Sequence, residues 1–278
     1  MDSNLLSEQH KNFDVVMACR AGSHLYGTNV LESDIDYRGV FVPSKPYFFG
    51  CHQHIEQIET KTPDVVLFDI RKFFKLCLEC NPNIIELLFV PKEKMVVCGT
   101  AWDEISDAAH LFVSKKARFT FAGYAISQLK RINTHRKYLL SPPEKQPKRS
   151  DFGLPDEKCL ITQEESNAIT EMIVGGKTWE MDATTMQLFE REKRYGNAAR
   201  EWAQYENWKK TRNPARSVLE AKYGYDTKHG SHLYRLITEG EELLKTGRIT
   251  LPRPDAALLR EIRAGRYTYE ELLFEDEV

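Results

Sequence analysis

Two aspartates, Asp34 and Asp36, flank a single isoleucine, and ten residues upstream lies the pair Gly22-Ser23, all within the stretch AGSHLYGTNVLESDIDYRGVF from Ala21 to Phe41. Acids separated by one residue on a strand point to the same face, where two carboxylates can hold divalent metal beside a phosphate. Apolar Val15-Val16-Met17-Ala18-Cys19 runs into the Gly-Ser turn, and apolar sequence resumes at Val40-Phe41-Val42. The segment therefore reads strand, turn, short helix, strand, and the chemistry it points to is phosphate transfer.

Two metal ions need more ligands than a pair of carboxylates supplies. Asp64, immediately before the apolar run Val65-Val66-Leu67-Phe68, is the expected third acid. Asp69 closes the same run just before a helical pattern begins at Ile70, where aspartate is a natural N-cap, so it is assigned to structure. Arg38 follows Asp34 and Asp36 on the same strand face, directed at a bound phosphate or paired with the acids themselves. His24 and Thr28 flank the turn within reach of a nucleotide, although a histidine at a helix start equally suits a cap or packing.

A second constellation lies far downstream, in Tyr223 to Leu236. A helix that starts near Asp226 as its N-cap places Lys228, His232 and Arg235 at i, i+4 and i+7 on one stripe. Three potential cations together need an anion opposite: a triphosphate, a nucleic-acid phosphate, or glutamates from elsewhere in the chain.

The Gly-Ser pair and the Asp-Ile-Asp triplet resemble the signature of the nucleotidyltransferase superfamily that includes DNA polymerase beta. Together with RKFxKL, NPNxxELL, DTKHxxHLxRL, ELLKTG and the closing IRxGxYTYEELL, they make the chain similar to the RlaP-type nucleotidyltransferases, which are associated with RNA repair and carried by many bacteriophages. The likeness runs nearly end to end and is least characteristic from Ser141 to Tyr205. It implies an α+β fold, with a polymerase-beta-like nucleotidyltransferase domain (a mixed sheet with flanking helices) followed by a helical C-terminal region. It further implies an NTP substrate, two magnesium ions and an RNA acceptor. Carried over by position, Asp34, Asp36 and Asp64 would be the catalytic, metal-holding acids and Gly22 and Ser23 would take the triphosphate, with Lys228, His232 and Arg235 as the distal phosphate or acceptor face. Asn81 and Glu86 fit the NPNxxELL pattern, and the resemblance gives them no role. The implied activity moves an NMP from an NTP to a hydroxyl, an RNA end above all, with release of pyrophosphate. Transfer to a protein side chain uses identical chemistry, and a non-catalytic sensor of magnesium nucleotide is the alternative of another class; an intact trio of acids weighs against the sensor.

The elements that must position these residues alternate over the first hundred positions, so the catalytic domain is expected at 1–100. Strands are expected over Asp14 to Arg20, Ile35 to Val42, Val65 to Phe68 and Met95 to Cys98. Helix is expected from Ile70 to Cys80, then, after the break at Asn81-Pro82-Asn83, from Ile84 to Phe89. Residues 101–278 read as helical, with Phe119, Phe121, Tyr124, Ala125 and Leu129 on one broad apolar face and a proline-rich mobile loop at 141–158. Trp202, Tyr205 and Trp208 recur every three residues, a spacing that favours burial against a neighbouring helix over stacking on bases.

A length of 278 residues and 41% hydrophobic content support a sizeable core. No apolar run is long enough to cross a membrane and the first residues are polar, so a soluble, cytoplasmic protein is expected. The six cysteines sit largely in apolar segments, as reduced thiols do. Cys77 and Cys80, with His52 and His54 near Cys51 the only tempting additions, make a poor zinc set. A net charge of −2 gives no global pull toward nucleic acid, but Gln128 to Arg149 holds seven Lys or Arg against the single acid Glu144, and Arg191 to Arg216 eight against three. Such stripes point moderately to a polyanionic substrate.

Overall fold

The computed structural model describes residues 13–50, 54–156, 159–176, 182–212 and 214–274, so Cys51 and His52 lie outside the described residues. Five strands, β1 (Phe13–Arg20), β2 (Asp36–Pro43), β3 (Gln57–Lys61), β4 (Asp64–Asp69) and β5 (Met95–Cys98), form one mixed sheet in the order β3-β4-β2-β1-β5. The β2–β4 pair is parallel, in a register that sets Asp36 opposite Asp64, and the other pairs are antiparallel. The sequence pattern located every strand except β3. Its residues QIETK are polar enough to read as loop, and β3 forms the edge of the sheet.

Alternation along β2 and β4 divides the sheet into two faces. Val40, Val42, Val66 and Phe68 pack into the large core under the helices, whereas Tyr37, Phe41, Val65 and Leu67 pack into a smaller cluster with Phe13, Val15 and Ile58. Asp36, Arg38 and Asp64 share the parity of the first set, so the site residues stand on the helix-covered face, at one end of the sheet. Strand packing is tight at Gly39, where a Cβ would lie 2.4 Å from Met17 O.

In chain order, the helices of this first half are α1 (Ser23–Tyr26), α2 (Lys45–Phe49), α3 (Ile70–Leu78), α4 (Pro82–Ile85), which runs on as a 3-10 turn through Glu86–Phe89, α5 (Thr100–Asp107) and α6 (Ala117–Leu140). The Asp69 side chain accepts from Arg71 N at 2.8 Å and caps α3. The helix stops short of the expected Cys80, which takes a positive φ of 51°. Asn81 caps α4, with Oδ1 accepting from Asn83 N at 3.1 Å and Nδ2 donating to the Tyr124 hydroxyl at 2.9 Å. The broad apolar face expected on α6 is narrower: Phe121 and Ala125 are buried, but Phe119 is 75% exposed. Phe119 lies only two residues, about 200° of helical turn, from Phe121, on the far side of the helix.

The chain divides into two compact units, one of residues up to Asn133 together with those from Tyr223 onward, the other Thr134–Lys222. The second unit holds α7 (Gln163–Val174), α8 (Ala183–Thr211) and most of α9 (Pro214–Tyr223). There Trp202, Tyr205, Trp208 and Tyr138 form a continuous set of ring contacts at centroid distances of 5.3–5.9 Å. The segment before α7 contains a 3-10 turn at Arg149–Phe152, and Arg149 pairs with Glu192 at 2.6 Å. Pairs of this kind (Lys145–Asp151, Lys209–Glu206 and Arg212–Glu220 are others) neutralise much of the basic excess seen in the sequence. Among the described residues no helix is long and apolar enough to cross a membrane.

The first unit is completed by α10 (Thr227–Thr246), α11 (Ala256–Arg263) and α12 (Tyr269–Phe274). As its sequence predicts, α10 begins at Asp226, whose Oδ1 accepts from Lys228 N at 2.9 Å and His229 N at 3.2 Å. Leu233, Leu236, Gly240 and Leu243 form its buried stripe. Gly240 faces Phe121, whose Cβ would stand 2.9 Å from an added methyl, so close packing of α10 on α6 depends on glycine there.

Candidate active site

The turn after β1 is made by Gly22, at φ 59° and ψ −133°, a conformation open to glycine and costly for other residues. Ala21 N donates to Asp36 O at 2.8 Å, which ties the turn to the start of β2, and a Cβ on Gly22 would sit 3.4 Å from Asp36 Oδ2. The small residue thus keeps space open beside that carboxylate. β2 begins at Asp36 rather than at Ile35, which leaves Asp34 in the preceding loop and Ile35 at 42% exposure. The strand-alternation argument therefore does not place Asp34. The loop does, and both acids line the same cleft.

That cleft, about 250 Å³, is bounded by Gly22, Ser23, Asp34 and Asp36 on one side and by Lys228, Ser231, His232 and Arg235 of α10 on the other, with Arg263 of α11 beside them. Residues some 200 positions apart in sequence are thereby brought to one wall-to-wall space. A second cleft of about 520 Å³ shares Gly22, Tyr26, Asp36 and His232 with the first and continues past Arg38, Lys72, Asn81 and Glu86. Thr28 lines the first cleft, and His24 lines neither.

Asp64 stands beside Asp36 through the β2–β4 register and holds Arg38 Nη1 at 3.3 Å, but it lines neither cleft. Arg38 therefore lies between acids, in the ion-pairing arrangement its strand position allowed. Burial, followed by the facing charges of Asp64 and Asp34, holds the Asp36 carboxyl above its ordinary value, while Arg38 and Lys228 pull the other way. Among the described residues the oxygens of Asp34, Asp36 and Asp64 do not all come within 4.8 Å of one another. Three hard oxygen donors that repel one another suit a hard divalent cation, because such an ion relieves that repulsion.

Arg235 occupies a different environment from Lys228. Its Nη1 donates to Glu239 Oε2 at 2.6 Å and to Glu86 Oε2 at 3.3 Å, and its guanidinium lies 4.2 Å above the Tyr26 ring. Tyr26 Oη donates to Glu86 at 2.9 Å. Arg235, Glu86 and Glu239 are all buried. Two glutamates of the chain thus supply the anion opposite Arg235, at core depth rather than on the surface. Glu86, the one acid in the apolar run after Asn81, is this arginine's partner. Sequence reasoning missed Tyr26, Glu239 and Arg263; Tyr26 follows the Gly-Ser pair by three residues and Arg263 lies in the IRxGxY pattern, but nothing in either place marks a site.

Cys77 and Cys80 are buried free thiols, and burial raises the Cys77 thiol well above its ordinary value. Cys98 and Cys159 are exposed, contrary to the apolar setting expected of them.

An uncharacterized 38.9 kDa protein from the nrdC-mobD intergenic region of Enterobacteria phage T4 is 24% identical over 290 aligned residues, covering 90% of this chain and 82% of that protein. The uncharacterized protein YcgL of Bacillus subtilis (strain 168) is 31% identical over 84 residues, covering 29% of this chain and 32% of its own. No solved structure matches. Residues 4–141, which hold the Gly-Ser turn, all three acids and Glu86, match the family model of RlaP, described as the RNA repair pathway DNA polymerase beta family.

Proposed function

We propose that this protein transfers a nucleoside monophosphate from an NTP to a hydroxyl, that of an RNA end, and releases pyrophosphate. The observation that carries this reading is the cleft in which Gly22-Ser23, Asp34 and Asp36 face Lys228 and Arg263. Asp34 and Asp36, with Asp64 beside them, would hold two magnesium ions, which when bound lower the pKa of the attacking hydroxyl and offset charge on the leaving pyrophosphate. Lys228 and Arg263 supply positive charge on the opposite wall, where a triphosphate would extend. Gly22 has no side chain to stand between the phosphates and Asp36. The second cleft, which shares Asp36 with the first, would take the acceptor hydroxyl. The description of the family as one of RNA repair favours RNA over a protein acceptor.

The test is incubation with each of four labelled NTPs, magnesium and a mixed RNA pool, followed by sequencing of labelled ends. The expected result is label on RNA ends from the wild type and none from Asp36→Asn, with both proteins equally folded. Full transfer by Asp36→Asn would overturn the assignment, and label on protein alone would move the acceptor from RNA to a side chain.

A further inference from the structure

His232 lines both clefts, so it stands at the wall they share. Its Nδ1 lies 3.2 Å from Arg235 Nη2. A guanidinium has only donors and keeps its charge, so Nδ1 must present a lone pair, and the ring proton sits on Nε2. Arg235 is not at liberty to turn away. Glu239 and Glu86 fix Nη1, Tyr26 covers the guanidinium plane, and the Tyr26 hydroxyl in turn binds Glu86. The four groups form a buried frame whose exit toward the clefts is the imidazole. Burial, then the positive charges of Arg235, His229, Lys228 and Arg263, push His232 down to about 3, so the ring has no cationic form at neutral pH.

A neutral ring fixed as the Nε2–H tautomer between two polar clefts is a directional donor with no charge of its own. The first cleft places Lys228 and Arg263 around it, and phosphate is the ligand that such walls take. We propose that His232 donates its Nε2–H to a phosphate oxygen of the bound nucleotide, and that Arg235 is a positioning residue that sets the His232 tautomer rather than a phosphate ligand. This inference rests on the nucleotidyl-transfer reading above.

The experiment uses the full chain with 15N-labelled histidine, and a long-range proton–nitrogen correlation reports which ring nitrogen carries hydrogen. At neutral pH, free wild type is expected to show His232 with a bare Nδ1 and a protonated Nε2. That Nε2 signal should move on titration with magnesium and a non-hydrolysable NTP analogue. His232→Ala is expected to weaken binding of the analogue by roughly ten- to a hundredfold, the loss of one hydrogen bond to a charged group. His232→Gln, which restores a neutral N–H donor, should recover most of it. Arg235→Gln offers Nδ1 either an N–H or a carbonyl oxygen, so both tautomers of His232 should appear. An Nδ1–H or imidazolium ring in the free wild type overturns the proposal, as does unchanged affinity in His232→Ala or a single Nε2–H tautomer in Arg235→Gln. A wild type that does not bind the analogue, whichever of the four bases it carries, defeats the donor role together with the transfer reading beneath it, and the tautomer spectrum of the free protein separates that outcome from a misplaced ring.

Discussion

Replacing Glu86 by glutamine should remove a pH dependence of stability that the wild-type protein carries. Glu86 is only 4% exposed and shares Arg235 with Glu239, so two carboxylates face one guanidinium in the core. Burial, with repulsion from Glu239, raises Glu86 from its ordinary 4.5 to about 7 against the opposing pull of Arg235. Arg235 lies 2.6 Å from Glu239 and 3.3 Å from Glu86, so Glu86 is the partner that retains a proton. The unfolded chain releases that proton near pH 4.5 and the folded chain near 7, so between these values the folded state binds more protons. The stability it contributes is complete below the unfolded value and is lost as pH rises through the folded one.

The rise from 4.5 to about 7 corresponds to about 3 kcal/mol, or roughly 6–10 °C in melting temperature for a protein of this size. In Glu86→Gln a neutral amide of the same shape occupies the place of the protonated acid at every pH. Denaturant unfolding of both proteins across about pH 5 to 8 gives the difference between their free energies, in which titrating groups remote from Glu86 cancel. That difference should move in favour of the glutamine variant by about 3 kcal/mol from the acid to the alkaline end. A flat difference, or one that drifts toward the wild type as pH rises, would refute the reasoning.

Four other substitutions test separate parts of the molecule. Asp64→Asn should lower NMP transfer on the order of a hundredfold or more by removing an oxygen donor beside Asp36. Asp69→Asn, which keeps a capping oxygen but loses the charge on Arg71, should leave transfer within about twofold and cost about 1–2 kcal/mol in denaturant unfolding. Because Arg71 holds the Asp69 carboxyl below its ordinary value, that cost should shrink as pH falls through the lowered value, and it should remain complete at neutral pH. Gly22→Ala puts a side chain at φ 59° and 3.4 Å from Asp36 Oδ2, so it should cost about 1–3 kcal/mol in thermal unfolding and abolish nucleotide binding measured by calorimetry. Gly39→Ala drives a methyl to 2.4 Å from Met17 O between paired strands and should cost about 3 kcal/mol or more, seen as loss of folded protein by circular dichroism.

Local pattern carried much of this molecule. The strands β1, β2, β4 and β5 were legible because each packs apolar side chains against a core cluster, and the starts of α3 and α10 were legible because Asp69 and Asp226 are caps whose chemistry acts within three residues, whereas α4 begins at Pro82, ahead of the expected Ile84, because Asn81 caps it. The polar edge strand β3 was not, since pairing with β4 rather than its own side chains makes it a strand. Asp34 and Asp36 were found by spacing, yet the reason first given for their meeting was half wrong, for Asp34 reaches the cleft from a loop.

Arg235 shows where such reading must stop. Spacing along a helix fixes the direction in which a side chain leaves the axis, and by that measure Lys228, His232 and Arg235 form one stripe. It does not fix depth, which depends on what packs against each turn. At the first turn of α10 the neighbour is open cleft, and Lys228 stays exposed. Two turns on, the neighbours are Tyr26 and Glu86, the latter 149 positions away in sequence, and the same kind of charge becomes part of the core. Glu86 carried its own signal, as a lone acid in an apolar run has to be paired, protonated or catalytic. Its partner lay on an element whose approach only the fold determines, and the pairing turns one apparent phosphate ligand into the support for the imidazole beside it.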